Sequence, residues 1–327
     1  MGKKNYVGID IGHDRLKLAY VRNGRVRKTA SVQLPENLIK NGRVISPETM
    51  ADLIKSTLKE NGIREKKAAL LLPADCVYVK NVSIPSMTAE QLEINLPYEF
   101  RDYFNEELHD YYYDYAVYGT AEDGEVEELL AAAVRKEIVN DFRALLDRAG
   151  LTAEIIAPSV CAYRKLIKEA GKESENEEYC FLDIGSRNVH MNFFRGMRHV
   201  ATRELESSME LVEQAVSGIY NVDRHVAHTY LLGNFEDCQS KEACKEAYNT
   251  IAVEVLRSVN FYQFSNPDSQ LKNVYICGGG AFIDAMRETF REVMPELTFH
   301  NASELLSDGT EDRVRDEALL AIGIALP

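Results

Sequence analysis

Alternating apolar and polar positions begin near the start of the chain and continue through two turn signals. Residues 6–12 read Tyr-Val-Gly-Ile-Asp-Ile-Gly, and residues 16–21 and 26–34 alternate apolar with more polar side chains. Asn23-Gly24 separates these last two runs, and Asn-Gly between alternating runs is the strongest short-range signal of a β-hairpin. The pattern therefore predicts a strand, a tight glycine turn, a second strand, a two-residue turn and a third strand.

The same pattern returns about half a chain later. Residues 179–185 read Tyr-Cys-Phe-Leu-Asp-Ile-Gly and are followed by a run of alternating side chains at 189–194. Arg195-Gly196 is expected to form the turn, and residues 197–205 are expected to form the returning strand. A pattern that recurs within one chain indicates duplicated structural units. Two halves that open with the same hairpin predict a two-lobed, pseudo-symmetric protein.

The remaining segments alternate between helical and extended patterns. Ser46 with Pro47, and Thr88 with Gln91, are helix-start signals, and the second pair is a capping box. Interleaved strands and helices are typical of an α/β fold. The other predicted segments are strands at 68–72, 111–118, 128–134 and 274–277, a turn at Asp123-Gly124, and helices at 136–149, 241–264, from about 282, and 313–325.

Composition restricts the classes of partner. The chain has 327 residues, and its 52 acidic against 38 basic residues give a net charge of −14. This length predicts two domains. The charge disfavours non-specific binding to nucleic acid or to an anionic membrane surface. No apolar run approaches the roughly 18 residues of a transmembrane helix, so a cytoplasmic protein without direct membrane insertion is expected.

Cysteine and histidine give little sign of a metal site. The six cysteines include no Cys-x-x-Cys pair and mostly stand in apolar strings, so they are interpreted as reduced core residues. His225 and His228 lie three residues apart on a predicted helix. No third ligand is visible nearby, which disfavours a metal site there.

The two Asp-Ile-Gly turns carry the candidate chemistry. A strand that ends in a glycine turn exposes backbone N–H groups that can bind phosphate oxygens. Asp10 and Asp183, at the ends of two such strands, can hold Mg²⁺ through water. The glycine triplet at 278–280 stands between a strand and a helix, where backbone can approach a flat adenosine or its α-phosphate. Two hairpins that face each other across a cleft would then hold a polyphosphate.

The order of these three glycine segments resembles the actin, sugar kinase and Hsp70 superfamily. Within it, the chain resembles the PilM family of actin-like type IV pilus assembly proteins, which is related to FtsA. The resemblance implies a two-lobed actin-like (ribonuclease H-like) α/β fold with pseudo-duplicated lobes and an inserted subdomain called 1C. The stretches that carry it are residues 8–12, 16–18, 84–87, 98–99, 132–137, 149–151, 277–281 and 321–326.

The resemblance also implies subdomain boundaries. Residues 84–150 would form the inserted subdomain 1C. The others would be 1A at 1–83, 151–178 and the C-terminal helix 313–327, 2A at 179–215 and 272–312, and 2B at 216–271.

Transfer from the family, residue by residue, implies contacts with ATP and Mg²⁺. The two aspartates would hold the metal through water. For Lys17 and Arg187, a phosphate contact and plain solvation stay equally open. The matching positions are Asp10, Gly12, His13, Asp14 and Lys17 in the first phosphate loop, Asp183, Gly185, Ser186, Arg187 and Asn188 in the second, and Gly278, Gly279, Gly280 and Ala281 in the adenosine motif.

The function implied by the family is a cytosolic ATP-binding scaffold for a type IV pilus or a related secretion or competence machine. Its partner would be a PilN-like inner-membrane protein, captured through a short cytosolic N-terminal peptide in a groove beside 1C. This partner would hold the chain at the inner face of the cell membrane, and self-association stays open. Tyr111, Tyr113 and Tyr115 belong to a tyrosine-rich run that is either a strand with aromatics on both faces or a contact with the partner.

Three departures from the family pattern bear on hydrolysis. His13 and Asp14 replace the usual hydroxyl residues of the first loop, and Val189 or His190 stands where the second loop usually carries Thr. Ala157-Pro158 stands where hydrolases of the superfamily place an acid before a proline. A general base must lie within about 3 Å of the water that it activates, and a methyl group cannot act as one. Hydrolysis is therefore expected to be weak or absent.

Two other functions within the superfamily are alternatives. One is a small-molecule kinase, which the missing carboxylate before Pro158 disfavours because no base for a substrate hydroxyl is evident. The other is an FtsA-like filament-forming division protein, which would carry a basic amphipathic helix beyond Leu326. A nucleotide-free adaptor is a variant of the scaffold.

Overall fold

The fold is that of a computed structural model, which describes residues 5–40, 42–104, 108–120, 126–174, 177–306 and 313–327. The chain divides into two compact units, the first of Met1–Lys165 with Leu320–Pro327 and the second of Leu166–Leu319. In the described part of the chain, no helix combines the length and the apolar character needed to cross a membrane. The predicted turn at Asp123-Gly124 lies outside the described residues.

The first unit is built on a five-stranded mixed sheet. Its strands are β1 (Asn5–Ile11), β2 (Arg15–Arg22), β3 (Arg25–Gln33), β6 (Lys67–Leu71) and β10 (Thr152–Ala157), in the order β10-β6-β1-β2-β3, and a short ladder joins β4 (Ile39–Lys40) to β5 (Arg43–Val44). β1 runs antiparallel to β2 and parallel to β6. Asn23 and Gly24 both take left-handed φ, 54° and 75°, so the predicted hairpin is confirmed.

Helices cover both faces of this sheet. They are α1 (Pro47–Glu60), α3 (Lys136–Arg148), α4 (Ser159–Glu169) and α10 (Leu319–Ala325). Apolar side chains of α1 and α3 pack on one face of the sheet. On the other face α10 lies so close that a Cβ on Gly8 would stand 1.7 Å from the carbonyl oxygen of Ala321. Gly8 is therefore required for the packing of α10 on β1.

A smaller subdomain with its own three-stranded sheet is inserted after β6. It contains β7 (Val77–Pro85), α2 (Ala89–Asn95), β8 (Tyr111–Thr120) and β9 (Val126–Arg135), with a sheet order of β7-β9-β8 and a 3-10 segment at Leu96–Tyr103. Thr88 and Gln91 form the predicted capping box at the start of α2. α2 and the 3-10 segment pack on one face of the sheet around Phe100.

The second unit repeats the sheet topology of the first. Its strands are β11 (Glu178–Ile184), β12 (Val189–Arg195), β13 (Arg198–Leu205), β14 (Asn273–Cys277) and β15 (Thr298–Asn301), in the order β13-β12-β11-β14-β15. Its helices are α5 (Met209–Tyr220), α6 (Arg224–Gly233), α7 (Glu242–Ser265), α8 (Asp284–Val293) and α9 (Arg313–Glu317). Each unit therefore has two antiparallel pairings followed by two parallel ones, as the pseudo-duplicated fold predicts.

Three predicted boundaries differ from the structure. The β12–β13 turn is Gly196-Met197, one residue later than predicted, because Arg195 pairs with Arg198 and Gly196 takes φ 52°. The predicted C-terminal helix is two helices, α9 and α10, separated at Ala318. The helix expected from about residue 282 starts at Asp284, after a 3-10 turn at Gly279–Phe282.

The cysteines were predicted to be reduced core residues, and the structure agrees for most of them. All six are free, and five are buried, while Cys161 is half-buried. Burial raises the pKa of the Cys180 thiol well above its usual value. A buried thiol of this kind acts as a small apolar side chain.

Candidate functional site

The first glycine turn joins β1 to β2 in the first unit. The Gly12 N–H donates to the Arg15 carbonyl over 3.0 Å, which closes the turn, and the Leu34 N–H donates to the Asp14 carbonyl over 2.8 Å. His13 and Asp14 are half-buried within it. Because both ends of the turn are fixed by backbone hydrogen bonds, its amides are held in place before any ligand binds.

A partly buried ion pair lies beside this turn. Asp10 and Lys17 are direct cross-strand partners, and Lys17 Nζ lies 3.0 Å from Asp10 Oδ2. Both side chains are largely buried, at 20% exposed for Lys17 and 15% for Asp10. Lys17 Nζ also lies 3.7 Å from the point where a Cβ of Gly12 would stand. The ammonium group is therefore placed over the glycine of the turn, where it can meet an anion.

The second glycine turn joins β11 to β12 in the second unit. The Gly185 N–H donates to the Asn188 carbonyl over 3.0 Å, as in the first turn. The N–H groups of Met209 and Glu210, at the start of α5, donate to the carbonyls of Gly185 and Ser186 over 3.3 and 3.1 Å. This turn is therefore fixed from a second side by α5, and Arg187 lies within it.

The glycine triplet packs directly on the end of β11. Asp183 pairs with Cys277 across the parallel strands β11 and β14, which places the two strand ends together. A Cβ on Gly278 would stand 2.5 Å from Asp183 Oδ1, and Gly278 has φ 81°. A Cβ on Gly280 would stand 2.3 Å from a side-chain methyl of Ile184. Only glycine fits at these two positions, so backbone and carboxylate approach each other without side chains between them.

The remaining residues of the triplet segment complete this surface. Nothing lies within 4 Å of the point where a Cβ of Gly279 would stand, so this glycine faces open space. Ala281 is buried at 4% exposure. The second unit therefore brings the second turn and the predicted adenosine motif into one place.

A charged network that the sequence did not reveal supports the second turn. Glu213 of α5 is 1% exposed and accepts from Arg224 Nε over 2.6 Å. His228 Nδ1 lies 2.8 Å from the other Glu213 oxygen. Arg224 Nη2 donates to Ser186 Oγ over 3.2 Å, so the network reaches the turn itself. The sequence pattern does not predict this network, because its members lie on a turn and on two helices that are separated along the chain.

The described residues do not form a cluster of metal ligands. In the described ranges, no group of three or more His, Cys, Asp or Glu residues is arranged to hold a metal ion. His228 is engaged with Glu213. The carboxylates of Asp10 and Asp183 lie beside the glycine turns of their own units, and oxygen donors of this kind suit Mg²⁺ held through water.

The predicted position for a catalytic acid carries none. Ala157 ends β10, and Ser159 begins α4 after Pro158. The Ala157 methyl can neither accept nor donate a proton. Ala157 therefore cannot act as the base that activates a water molecule.

The tyrosine-rich run is β8, with aromatic rings on both faces. Tyr111 is buried at 4% exposure, and its ring stacks on Phe104 with centroids 3.9 Å apart. Tyr113 is half-buried and donates its hydroxyl to the Leu108 carbonyl, and its burial raises its pKa to about 12. Tyr115 is half-buried on the same face, while Tyr112 is exposed on the other. The ring of Tyr111 is thus enclosed within the insert.

Other large apolar and aromatic side chains of the insert are exposed. Ile94 is 66% exposed, and Tyr98 and Tyr103 are 48% and 49% exposed. The Arg101 guanidinium lies 4.4 Å from the centre of the Tyr98 ring, and Lys80 Nζ lies 5.7 Å from the centre of the Tyr103 ring. These residues, on α2 and the following 3-10 segment with Lys80 on β7, form the aromatic surface of the insert.

Comparisons with known proteins agree with this geometry. The profile of the family described as type IV pilus assembly protein PilM matches residues 8–323. Among solved structures, the chain is similar to a PilM–PilN type IV pilus biogenesis complex at 21% identity and a TM-score of 0.82, covering 98% of this chain and 97% of that one.

Two further structures show the breadth of the fold. Ethanolamine utilization protein EutJ from Carboxydothermus hydrogenoformans is similar at 14% identity and a TM-score of 0.64, covering 100% of this chain and 90% of that one. MreB 5 of Spiroplasma citri, bound to AMPPNP, is similar at 11% identity and a TM-score of 0.54, covering 98% and 94%. The predicted actin-like fold is confirmed.

Proposed function

The chain belongs to the type IV pilus assembly protein PilM family, and from this premise we propose that it is a nucleotide-binding scaffold of a type IV pilus or a related secretion or competence machine. It binds ATP with Mg²⁺ at the two glycine turns. It recruits a PilN-like membrane protein through that protein's short cytosolic N-terminal peptide. It hydrolyses ATP slowly or not at all.

The observation that carries the nucleotide proposal is the contact between the glycine triplet and β11. Residues 278–280 approach the Asp183 carboxylate so closely that any side chain on Gly278 or Gly280 would collide with β11. Gly279 between them has no atom within 4 Å of its Cβ position, so the backbone of the triplet is held against β11 on one side and faces open space on the other. A flat adenosine against residues 278–281 explains why backbone forms this surface.

Charge and backbone geometry support phosphate binding at each of the two glycine turns. The amides of residues 12–14 and 185–187 belong to closed turns, and such turns bind anions. Lys17 adds a cation over the first turn. Mg²⁺, when bound, neutralises phosphate charge, and Asp10 and Asp183 would hold it through water. These residues account for binding and for orientation of the phosphates.

The proposal of slow hydrolysis rests on Ala157. No carboxylate stands at the end of β10 to activate a water molecule. A positioned general base contributes about 10²–10⁴-fold to such a reaction. Bound ATP would therefore persist and act as a conformational ligand.

The partner is proposed to contact the aromatic surface of the insert. Tyrosine and arginine are enriched among the residues that contribute most to binding at protein interfaces. Ile94, Tyr98 and Tyr103 offer such a surface to an apolar peptide. Tyr113 and Tyr115 stay candidates at its margin, whereas Tyr111 supports it from inside the core.

Calorimetric titration with ATP, with and without Mg²⁺, tests nucleotide binding. We expect saturable binding that Mg²⁺ strengthens. Asp10→Asn and Asp183→Asn should each weaken it by about 10–100-fold, the usual loss when a group that orients metal-bound water is removed. Asp52→Asn is the matched control, since its carboxylate is 80% exposed on α1. Absence of binding to the wild-type chain would indicate a nucleotide-free adaptor.

Two further assays test the remaining parts of the proposal. Turnover of ATP in the presence of a panel of phosphate acceptors would favour the kinase alternative. The partner is tested with a synthetic peptide from the N-terminus of a single-span membrane protein encoded next to this chain. Tyr98→Ser should weaken peptide binding by about tenfold or more, and Ile45→Ser, at a site 57% exposed outside the insert, should not.

A further inference from the structure

Arg224, the first residue of α6, is the point at which a buried charge is joined to the second glycine turn. Its Nη2 donates to Ser186 Oγ over 3.2 Å, and its Nε donates to Glu213 Oε2 over 2.6 Å. Ser186 is half-buried, and the Arg224 side chain is 30% exposed. All three residues belong to the second unit. The guanidinium therefore connects a buried carboxylate of α5 to a side-chain hydroxyl of the turn.

The carboxylate that holds this guanidinium is itself fixed. Glu213 is 1% exposed, and His228 Nδ1 lies 2.8 Å from its second oxygen, Oε1. Because a carboxylate accepts hydrogen bonds and donates none, His228 Nδ1 carries the hydrogen of this contact. With both oxygens engaged, the carboxylate cannot turn without losing a partner. The planar guanidinium bound to it thus keeps one orientation, with Nη2 toward Ser186.

The contact determines which way the Ser186 hydroxyl can act. A serine hydroxyl has one hydrogen to donate and two lone pairs that accept, whereas a guanidinium stays protonated and only donates. Ser186 Oγ must therefore accept from Arg224. Its own hydrogen then points away from Arg224 and can be given only to an acceptor. Arg224 thus selects the donor role of the hydroxyl.

The backbone of Ser186 is held by other contacts. The Glu210 N–H donates to the Ser186 carbonyl over 3.1 Å, and the Gly185 N–H donates to the Asn188 carbonyl over 3.0 Å. Main chain and side chain of Ser186 are therefore both oriented before a ligand arrives. Orientation in advance reduces the ordering that binding would otherwise require.

Arg224 also compensates two carboxylates near the turn. Its Nη1 lies 3.6 Å from Glu210 Oε1, in addition to the contact of Nε with Glu213. Without a cation among them, these carboxylates would repel an anion at the turn. Compensation needs only a positive charge, whereas orientation of the hydroxyl needs the fork of a guanidinium. Exchange of arginine for lysine can therefore separate the two roles.

We propose that Arg224 is a positioning residue that makes Ser186 an obligate hydrogen-bond donor to a phosphate oxygen of the bound nucleotide. This inference rests on the nucleotide binding proposed above and adds to it how the second turn selects its ligand. The oxygens of an ionised phosphate accept hydrogen bonds and carry no hydrogen, which suits such a donor. An ammonium group has no lone pair to offer and is excluded. Arg224 acts through Ser186 and does not need to touch the ligand.

The test is a double-mutant cycle on the full chain, with the affinity for ATP and Mg²⁺ measured by calorimetry. Ser186→Ala should weaken binding by about tenfold, the loss of a hydrogen bond to a charged group. Arg224→Lys keeps a cation beside Glu213 but cannot span both partners, and it should weaken binding by about fivefold. In the Ser186→Ala background, Arg224→Lys should weaken it by less than about twofold further. A merely structural role of Arg224 would give equal losses in both backgrounds.

Three more variants complete the design. Arg224→Gln removes charge compensation as well as orientation, so its loss should exceed that of Arg224→Lys and persist in part beside Ser186→Ala. Ser186→Thr keeps the hydroxyl and should restore binding to within about twofold of the wild-type chain. Arg257→Lys, at an exposed position of α7, is the matched control and should change nothing. If Arg224→Gln fails to fold because Glu213 loses its cation, Arg224→Lys still decides the question.

Tripolyphosphate with Mg²⁺ separates this inference from the nucleotide proposal, because it contacts the turns without adenosine. We expect the same coupling between Arg224 and Ser186 with this probe. Binding of ATP to the wild-type chain without coupling, or with unchanged affinity of Ser186→Ala, would overturn the role of Arg224 and leave nucleotide binding intact. Coupled binding of tripolyphosphate without binding of ATP would support Arg224 and contradict the nucleotide. Absence of binding of either probe would overturn both.

Discussion

The carboxylate of Glu178 is a buried charge with several hydrogen-bond donors around it, and its replacement is predicted to destabilise the second unit. Its side chain is 3% exposed at the start of β11. One oxygen accepts from Arg195 Nη2 over 2.9 Å and from the Tyr262 hydroxyl over 2.9 Å. The other accepts from Ser269 Oγ over 2.6 Å and from the Gln270 N–H over 2.7 Å. The carboxylate thus joins the first strand of the sheet to the end of α7 and to the loop before β14.

The loss in free energy of unfolding depends on how many partners lose their hydrogen-bond acceptor. Removal of one member of a buried ion pair costs about 3–5 kcal/mol. Arg195 is 32% exposed and keeps a second ion pair with Asp268, so the lower end applies. Glu178→Gln should therefore cost about 3 kcal/mol. For a unit of this size that corresponds to a decrease of about 6–12 °C in its unfolding temperature.

The pH dependence of unfolding gives an independent measure of what the Glu178 carboxylate contributes to stability. Burial opposes ionisation of Glu178, but the hydrogen bonds from Ser269, Arg195, Tyr262 and Gln270 outweigh it and lower its pKa. Such a carboxylate stabilises the fold fully above its unfolded pKa, near 4.5. Its contribution is lost as the pH falls through the lower folded pKa. The difference between the wild-type chain and Glu178→Gln should therefore be constant near neutral pH and shrink below about pH 4.5.

Differential scanning calorimetry between pH 3 and pH 7 checks both expectations. Asp268→Asn is the matched control, because Asp268 binds the same arginine but is 73% exposed. The control should leave the transition nearly unchanged. An equal effect of both substitutions, or a difference that persists unchanged at pH 3, would show that the buried carboxylate does not hold the unit together.

Three other substitutions and reactions have defined outcomes. Gly8→Ala should destabilise the first unit by at least about 3 kcal/mol in thermal unfolding, because its Cβ would stand 1.7 Å from the Ala321 oxygen, whereas Gly119→Ala, with no atom within 4 Å, should not. Lys17→Met should lower the affinity for ATP by about tenfold in calorimetry, the loss of one charge-assisted hydrogen bond. Cys180 should resist a thiol reagent at pH 8 until the chain unfolds, because burial raises its pKa.

The two glycine hairpins could be predicted because their signals are local. Alternation specifies the strands, and Asn23-Gly24 specifies a turn in which both residues take left-handed φ. The second turn was misplaced by one residue. Arg195-Gly196 contains a glycine but not the Asn-Gly signal, and the pairing of Arg195 with Arg198 sets the register. A glycine alone thus locates a turn only to within one position.

The supporting residues of the site could not be predicted because they depend on tertiary contacts. Arg224 of α6 hydrogen-bonds both to Glu213 of α5 and to Ser186 of the second turn. It can do so only because α6 packs against α5. Tyr111 shares its face of β8 with Tyr113, and the sequence does not state which face α2 will cover. Only the packing of Phe100 and Phe104 on that face shows that Tyr111 is enclosed.

The duplicated hairpins differ most at the residue opposite the aspartate. In the first unit Asp10 pairs across the strands with Lys17, whose ammonium lies over the turn. In the second unit Asp183 pairs with His190, which lies 4.0 Å from Glu204. The first unit therefore supplies a cation for phosphate from within its own hairpin. The second unit instead supplies glycine backbone packed against the Asp183 carboxylate, with Gly279 facing open space. We therefore expect the hairpin of the first unit to contact phosphate and the glycine segment of the second unit to contact adenosine.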